Sequence, residues 1–566
     1  MEYEVLLINV FRDSSGYSEV FHNSIGQFLI AAYLRERDFV AQVYSGNSLD
    51  CKRIIENEVL NHHVQVIGFY AAADNIRVVA HSIQWLKKNY PEVITFVGGP
   101  QAIGLDATFF LTTGNDYAII GEGEIPTHKL MSYLIDGVGH LEEIPSLLYY
   151  DHKTEKMVWN QCDNAIITNL DEIPFPHIED SLSRKLRQGK MVGIITGRGC
   201  PNHCTFCYEG ANAKNVRFRS IENVMEEIDY ITAHNPNVEY INVYDDTFTL
   251  RVDRILEFCE AMKKRNLKWF CEGHVSFVIQ HPDVLKTMVD SGLTGIQFGI
   301  ESASQKVLDA YNKHTNKDMI LKCVKICKDT GLHGITGNFI IGGAFETKET
   351  ILESKKLAEE LINSAKGIME IYLVYFAPYP NTQMVNFPEK FGIELKPQLE
   401  EWNLNTMRSP VIHTVELDSA EIYKQKHLFG EFLSECYHTA SLQSTRSDVL
   451  MSLFQDGKRV HINPTWEKCY QSFNYIDVFL RHMSEQEQTF SANGYIIRTF
   501  EDFFIEEDAM RTEVGTFIGV EKDILLNATG IYSVPDMSIK LSISIDRIQE
   551  IFESLNNRCL VYMADW

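Results

Sequence analysis

Three cysteines carry the most specific chemical signal in the chain. Cys200, Cys204 and Cys207 lie in Gly197-Arg-Gly-Cys-Pro-Asn-His-Cys-Thr-Phe-Cys-Tyr208, a C-x3-C-x2-C spacing on a glycine-bearing loop. Thiolates this close together suit a soft metal centre. An iron–sulfur cluster held by three cysteines leaves one iron open to a substrate. Zinc is the rival: a closed structural zinc site takes four ligands, and His203 could supply the fourth. Spacing alone leaves both open. Carboxylates form a second set. Asp245 and Asp246 are adjacent and could bind an amine, or Asp246 could cap a helix. Glu301 follows an apolar run, where a buried acid requires a partner.

The elements that must position these groups follow from periodicity. Apolar runs alternate with amphipathic runs from the start of the chain: strands at 5–10, 40–44, 64–70, 93–97 and 117–120, and helices near 24–35, 49–61, 76–89 and 126–135. Alternation of this kind predicts a parallel, doubly wound, Rossmann-like sheet over residues 1–140. Its strands lead into Ser45-Gly46-Asn47, Ala71-Ala72-Ala73-Asp74, Gly98-Gly99-Pro100-Gln101 and Gly121-Glu122-Gly123-Glu124, small residues that let backbone approach a ligand or simply turn tightly. Residues 141–189 read as a hairpin (146–150 with 156–159) and an extended linker through Asn169-Leu-Asp-Glu-Ile-Pro-Phe-Pro176. Six strand–helix repeats follow over 190–390, with strands near 191–196, 240–244, 268–272, 295–300, 334–341 and 369–376. They predict a partial (β/α)6 barrel of TIM type, with functional residues at the C-terminal strand ends. The cysteine loop, Asp245, Glu301 and Asn338-Phe-Ile-Ile-Gly-Gly-Ala-Phe-Glu-Thr347 all fall there. Residues 391–566 read as a mixed α/β region opening with a long helix near 417–439, and carry no chemical motif.

Other candidates weigh less. Arg217 or Arg219 could reach a carboxylate or lie solvated ahead of a Ser-capped helix. His274 could contact a ligand, although a lone histidine is more often structural. Cys323 and Cys327 share a helix face and read as core, so no second cluster is expected. The net charge of −25 argues against non-specific nucleic-acid or anionic-membrane binding. The N-terminus lacks the pattern of a signal peptide and no run approaches a spanning helix, so a cytoplasmic protein is expected. Twelve cysteines in 566 residues are too sparse for a disulfide scaffold.

The cysteine loop resembles the signature of the radical S-adenosylmethionine (SAM) enzymes. The resemblance implies a 4Fe–4S cluster on Cys200, Cys204 and Cys207, SAM chelated by the open iron, and Phe206 packed near the adenine. One electron, from a donor such as flavodoxin or ferredoxin, then cleaves SAM to a 5′-deoxyadenosyl radical. Phe298-Gly-Ile-Glu-Ser302 resembles the family's SAM-contacting element, which implicates Glu301 and Ser302, and Asp245 is a further candidate for SAM's amino group. Ile341, Gly343 and Glu346 match a Gly-x-Ile-x-Gly-x-x-Glu element, with Phe339 in its first Gly position. Ala377-Pro-Tyr-Pro-Asn-Thr382 is similar to a Pro-Tyr-Pro-Gly-Thr stretch of the cobalamin-dependent group, with Asn381 for Gly. Residues 1–140 resemble the cobalamin-binding domain that precedes such barrels. This implies corrinoid contacts at Ser45, Ala72, Gly98, Gly99, Pro100, Gly121, Glu122 and Gly123. The Asp-x-His-x-x-Gly motif that ligates cobalt elsewhere is missing. The family implies C-methylation of a peptide or small-molecule intermediate, with a rearrangement or ring formation as the alternative. A cobalamin-free radical SAM enzyme and a non-catalytic iron–sulfur or zinc protein are the remaining readings. The tail, residues 391–566, is expected to set substrate choice.

Overall fold

The computed structural model describes residues 4–11, 25–73, 75–161, 166–176, 190–212, 215–395, 410, 412–455, 458–459, 462–471, 494–498, 503–512, 515–558 and 560–564. Asp74, Cys559 and residues 177–189 of the expected linker lie outside them. The chain divides into two compact units. One comprises residues 1–319, 338–354 and 373–427, the other 320–337, 355–372 and 428–566. Among the described residues no helix is long and apolar enough to cross a membrane.

The N-terminal sheet has seven strands: β1 (Val5–Phe11), β2 (Ala41–Asn47), β3 (Val66–Tyr70), β4 (Ile94–Gly98), β5 (Tyr117–Ile119), β6 (Leu147–Asp151) and β7 (Lys156–Trp159). Their order is β2-β1-β3-β4-β5-β6-β7, parallel as far as β5. Helices α1 (Ile25–Arg35), α2 (Ser48–His62), α3 (Ile76–Asn89), α4 (Ala107–Thr113) and α5 (Glu124–Leu134) cover its faces. Alternation along β1 divides the core between them. Leu6, Ile8 and Val10 pack with residues of α2, α3 and α4, while Val5 and Leu7 pack with residues of α1 and α5. Strand order reverses between β1 and β3, so a crevice opens at the carboxyl edge there.

Three features depart from the sequence reading. Ser45-Gly46-Asn47 are not a loop but the end of β2, where Asn9, Val10 and Phe11 supply a partner strand. Polar composition predicts a turn; cross-strand pairing overrides it. The 146–159 hairpin pairs antiparallel with β5 and extends the sheet past residue 140. Helix α4 was not anticipated, although its caps were legible: the Asp106 carboxylate accepts from the Phe109 amide, and Gly114 closes the helix at φ +76°.

The barrel strands are β8 (Met191–Ile194), β11 (Tyr240–Val243), β12 (Lys268–Gly273), β13 (Leu293–Glu301), β14 (Gly334–Ile341) and β15 (Met369–Tyr375). A short ribbon, β9 (Gly197–Arg198) with β10 (Arg217–Phe218), sits outside the sheet. The sheet order is β15-β14-β13-β12-β11-β8, six strands as expected. The sixth helix shrinks to single turns at Gln383–Asn386 and Pro388–Phe391.

The second unit buries an aromatic group in which Tyr437 and Trp466 meet edge to face at 5.2 Å. Glu370 accepts from the amides of Thr465 at 2.8 Å and Trp466 at 3.4 Å. Further along, helices Val534–Leu541 and Ile545–Asn557 accompany a three-stranded sheet, and a second three-stranded sheet forms over 504–518.

Candidate active site

The cysteine loop hangs from the end of β8 and is fixed there by Asp245, at the end of β11. One Asp245 oxygen accepts from the amides of Thr196 (2.6 Å) and Gly197 (2.9 Å), and the other from the Thr196 hydroxyl (2.6 Å). Asp246 accepts from the Gly199 amide at 2.9 Å. Neither acid caps a helix: the next one, Val252–Lys263, has Arg251 at its N-cap. The far side of the loop is strapped by the end of helix Gln305–Ala310 and the turn that follows it. The Thr205 amide and hydroxyl donate to Tyr311 and Ala310 carbonyls, and the Asn312 side chain donates to the His203 carbonyl.

The Cys200 sulfur is buried, with Thr247 Oγ1 and Asn202 Nδ2 each at 3.5 Å. Burial pushes the Cys207 thiol up to about 11, with the Cys204 charge adding to it, and raises Cys204, where the Glu301 and Cys200 charges add and Lys313 opposes. The Gly210 and Glu209 amides oppose this at Cys207. A bound cation reverses the balance and takes the thiolates. His203 is exposed, and among the described residues no three His, Cys, Asp or Glu side chains converge on a single-ion position. A cluster needs no such convergence, because three of its irons take one thiolate each. The residues therefore fit a cluster better than zinc.

Around the loop, the strand ends hold non-glycine residues in the left-handed region: Glu301 (φ +65°) at β13, Phe345 (+52°) after β14 and Asn381 (+66°) after β15. Each costs about 1–3 kcal/mol, and such strain gathers at ligand clamps. Asn tolerates this conformation, which explains how Asn381 stands where the resembled stretch has Gly. Glu301 is ion-paired with Lys313 at 3.0 Å, both side chains buried. Burial alone lowers the Lys313 ammonium, but Glu301 and the thiols of Cys204 and Cys207 hold it above its ordinary value. Phe206 meets Tyr311 edge to face at 4.9 Å. Gly343 is required by the same tyrosine: a Cβ there would lie 1.6 Å from the Tyr311 hydroxyl. Ile341 is buried and its carbonyl accepts from the Phe376 amide. Ser302 is consumed locally, accepting from the Ser304 amide and meeting Ser354 at 3.3 Å. Glu346, pushed up to about 7 by burial against the amides of Gly342 and Gly343, keeps one oxygen without a partner.

The lesser candidates resolve into scaffold. His274 caps helix Val275–Gln280, with Nδ1 accepting from the Ser276 amide. Arg219 pairs with Glu227 and donates to the Ile195 carbonyl. Arg217 reaches the Glu122 carboxylate and the Ile167 carbonyl. Arg198, two residues before Cys200, pairs with Glu122 (2.8 Å) and Glu124 (2.5 Å).

A cavity of roughly 230 Å³ opens at the carboxyl edge of the N-terminal sheet. Gly98, Gly99, Gly121, Glu122 and Gly123 line it, with Leu7, Ile30, Phe96 and Ile119 as apolar walls. Ile195 and Arg198, from the approach to the cysteine loop, close its far side. Gly99 turns at φ +95° with the Ala71 carbonyl 2.7 Å from where a Cβ would stand, so the turn admits no side chain. Gln27 Oε1 and Thr127 Oγ1 line the cavity, buried and without partners. An apolar ring bearing hydrogen-bonding groups would satisfy both, as the nucleotide tail of a corrinoid would. Among the described lining residues there is no histidine, in keeping with the missing cobalt-ligand motif. Ser45, Ala72 and Pro100 are not among the lining residues. Ser45 pairs with Asn9 inside the sheet, and the Ala72 amide donates to Asn75, which also bonds the Val10 and Tyr70 carbonyls.

Lys313, Tyr311, Gln27, Thr127 and Asn75 were not singled out in the sequence. Only for Gln27 was there a local sign, a polar residue within the apolar face of α1.

A partial barrel with a three-cysteine loop at its strand ends defines a radical SAM enzyme, and residues 194–358 match the radical SAM superfamily. Residues 16–130 match the B12 binding domain. An uncharacterized methyltransferase of Pyrococcus horikoshii is 29% identical over 352 residues, covering 61% of this chain and 73% of that protein. An anaerobic magnesium-protoporphyrin IX monomethyl ester cyclase of Rubrivivax gelatinosus is 30% identical over 309 residues, covering 52% and 54%. The cobalamin-dependent SAM radical enzyme OxsB, solved with aqua-cobalamin and SAM, shares the fold at a TM-score of 0.62 and 16% identity, covering 85% of this chain and 72% of that one. The chain carries both a radical SAM domain and a B12 binding domain. Its cofactors are a 4Fe–4S cluster, SAM and cobalamin.

Proposed function

We propose that this enzyme methylates an unactivated carbon of a peptide or natural-product intermediate. The observation that supports this most directly is the wall shared by the two sites. Ile195 and Arg198 line the N-terminal cavity and lie within five residues of Cys200. When bound, the cofactors supply the radical and the methyl group. The chain's task is to bind, orient and exclude water.

In this reading residues 1–140 hold the corrinoid, 190–390 hold the cluster and SAM, and 391–566 serve substrate recognition. Cys200, Cys204 and Cys207 would each hold one iron, with the Gly210 amide directed at the Cys207 sulfur and the Thr247 hydroxyl, bonded to the Asp246 carbonyl, beside Cys200. Phe206, Glu301, Ile341 and Gly343 form the SAM bed, and Lys313 keeps the Glu301 carboxylate in place. Asp245 acts through the loop that it holds, and Ser302 through the turn that it closes. Gly98, Gly99, Gly121 and Gly123 bring backbone to the corrinoid tail. Ser45, Ala72 and Pro100 belong to the surrounding scaffold. The electron comes from a donor such as flavodoxin or ferredoxin, in the cytoplasm.

The relative in Rubrivivax gelatinosus, a cyclase, favours ring formation as the second reading. Anaerobic turnover with methyl-labelled SAM separates the two: methylation adds one labelled CH2 to the product mass, and ring closure adds none. Cys204→Ala should abolish SAM cleavage. A chain that binds iron and cobalt but never cleaves SAM would overturn the proposal.

A further inference from the structure

The sequence offered Glu122 as a corrinoid contact, but its carboxylate is otherwise engaged. It meets Arg198 on β9 and Arg217 on β10, while Glu124 meets Arg198 from the other side. The four side chains run from 3% to 22% exposed and balance to zero net charge. Glu122 belongs to the turn that leaves β5 and Glu124 opens α5 directly after it; both line the N-terminal cavity. Arg198 and Arg217 belong to the ribbon that flanks the three cysteines. Burial would lower the Arg198 guanidinium; Glu124 and Glu122 hold it well above its ordinary value. A buried charge that loses its partner is strongly destabilising, so the two turns are held in one register. Bidentate arginine pairs fix orientation as well as distance.

We propose that Glu122, Glu124, Arg198 and Arg217 form a positioning clamp that sets the corrinoid turn at a fixed distance and angle from the cluster loop. Glu122, Glu124 and Arg198 line the cavity; in the clamp they act through the segments they join. This rests on the joint-cofactor reading above, and the test separates the two.

The test compares Arg217→Gln with Arg217→Lys in the full chain, reconstituted anaerobically with iron, sulfide and cobalamin. Arg217 is chosen because it lies outside the cysteine spacing. Amide exchange is followed in the segments 121–124 and 197–199, and the magnetic interaction between reduced cluster and cob(II)alamin is read by electron paramagnetic resonance. The clamp predicts that Arg217→Gln retains iron and cobalt, that exchange rises by about tenfold or more in both segments together, and that the spin interaction broadens or weakens. Arg217→Lys should restore part of each. Unchanged exchange and spin interaction in a loaded Arg217→Gln protein would overturn the clamp, as would a rise confined to one segment. If the wild-type chain binds no cobalt, the joint-cofactor reading fails, and exchange in the two segments still decides the clamp.

Discussion

Asp245 separates two readings of the acid pair at the end of β11: a contact for SAM's amino group, or an anchor for the cysteine loop. In the structure both oxygens are occupied by Thr196 and Gly197, and the residue is 3% exposed. Asp245→Ala leaves two buried amides unpaired. At about 1–3 kcal/mol for each orphaned donor, the loop loses about 2–6 kcal/mol of its preference for the cluster-ready geometry. Asp245→Asn keeps an oxygen for both amides and turns an NH2 toward the Thr196 hydroxyl, which can accept. Only the charge assistance is lost, about 1–2 kcal/mol. The assay is iron per chain after anaerobic reconstitution, followed by SAM affinity on the loaded protein. Asp245→Ala should lose most of its iron. Asp245→Asn should keep its iron and bind SAM within several-fold of wild type. A contact to an ammonium group is worth more, about 1.5–3 kcal/mol, or tenfold or greater. An Asp245→Asn protein with full iron and SAM affinity weakened beyond tenfold would therefore refute the anchoring argument.

Three further predictions follow from particular contacts. Gly343→Ala places a Cβ against the Tyr311 hydroxyl and should destabilise the fold by up to about 3 kcal/mol; Tyr311→Phe in the same chain should recover part of it in a denaturation double-mutant cycle, because the next ring atom is 2.8 Å away. Thr127→Val removes a buried hydroxyl from the corrinoid cavity and should weaken cobalamin about fivefold, a loss of about 1 kcal/mol, without affecting a corrinoid that lacks the nucleotide tail; absorbance titration with both ligands checks this. Burial pushes the Glu370 carboxyl up from 4.5 to about 7 against the hydrogen bonds of Thr465 and Trp466. The folded chain therefore keeps a proton that the unfolded chain releases, and stability falls as pH rises through that window. Glu370→Gln should gain on wild type by up to about 3 kcal/mol between pH 4.5 and 7.5, read as a widening difference in urea midpoint; a constant difference across the window would refute it.

The sequence by itself determined what depends on neighbours along the chain. The C-x3-C-x2-C spacing named the three thiols. Alternating runs named all eleven strands of the N-terminal parallel sheet and the barrel within a few residues, because burial on a sheet imposes a local pattern. Residues at the ends of those strands were then legible as site candidates. What the tertiary structure alone decided is which charge meets which. Asp245 bonds Thr196 across 49 positions, Arg198 meets Glu122 across 76, and Arg217 meets Glu122 across 95. Sequence requires that a buried carboxylate find a partner, but a carboxylate carries no mark of whether that partner is a ligand, a loop amide or an arginine from another sheet. So Glu122, an expected corrinoid contact that does line the cavity, also proved an ion-pair partner, and Ser45 passed from loop to strand. Lys313 emerged beside Glu301 only because the turn after helix Gln305–Ala310 folds back over the cysteines. Pairing of buried charge is settled by three-dimensional proximity, and proximity is what a linear pattern omits.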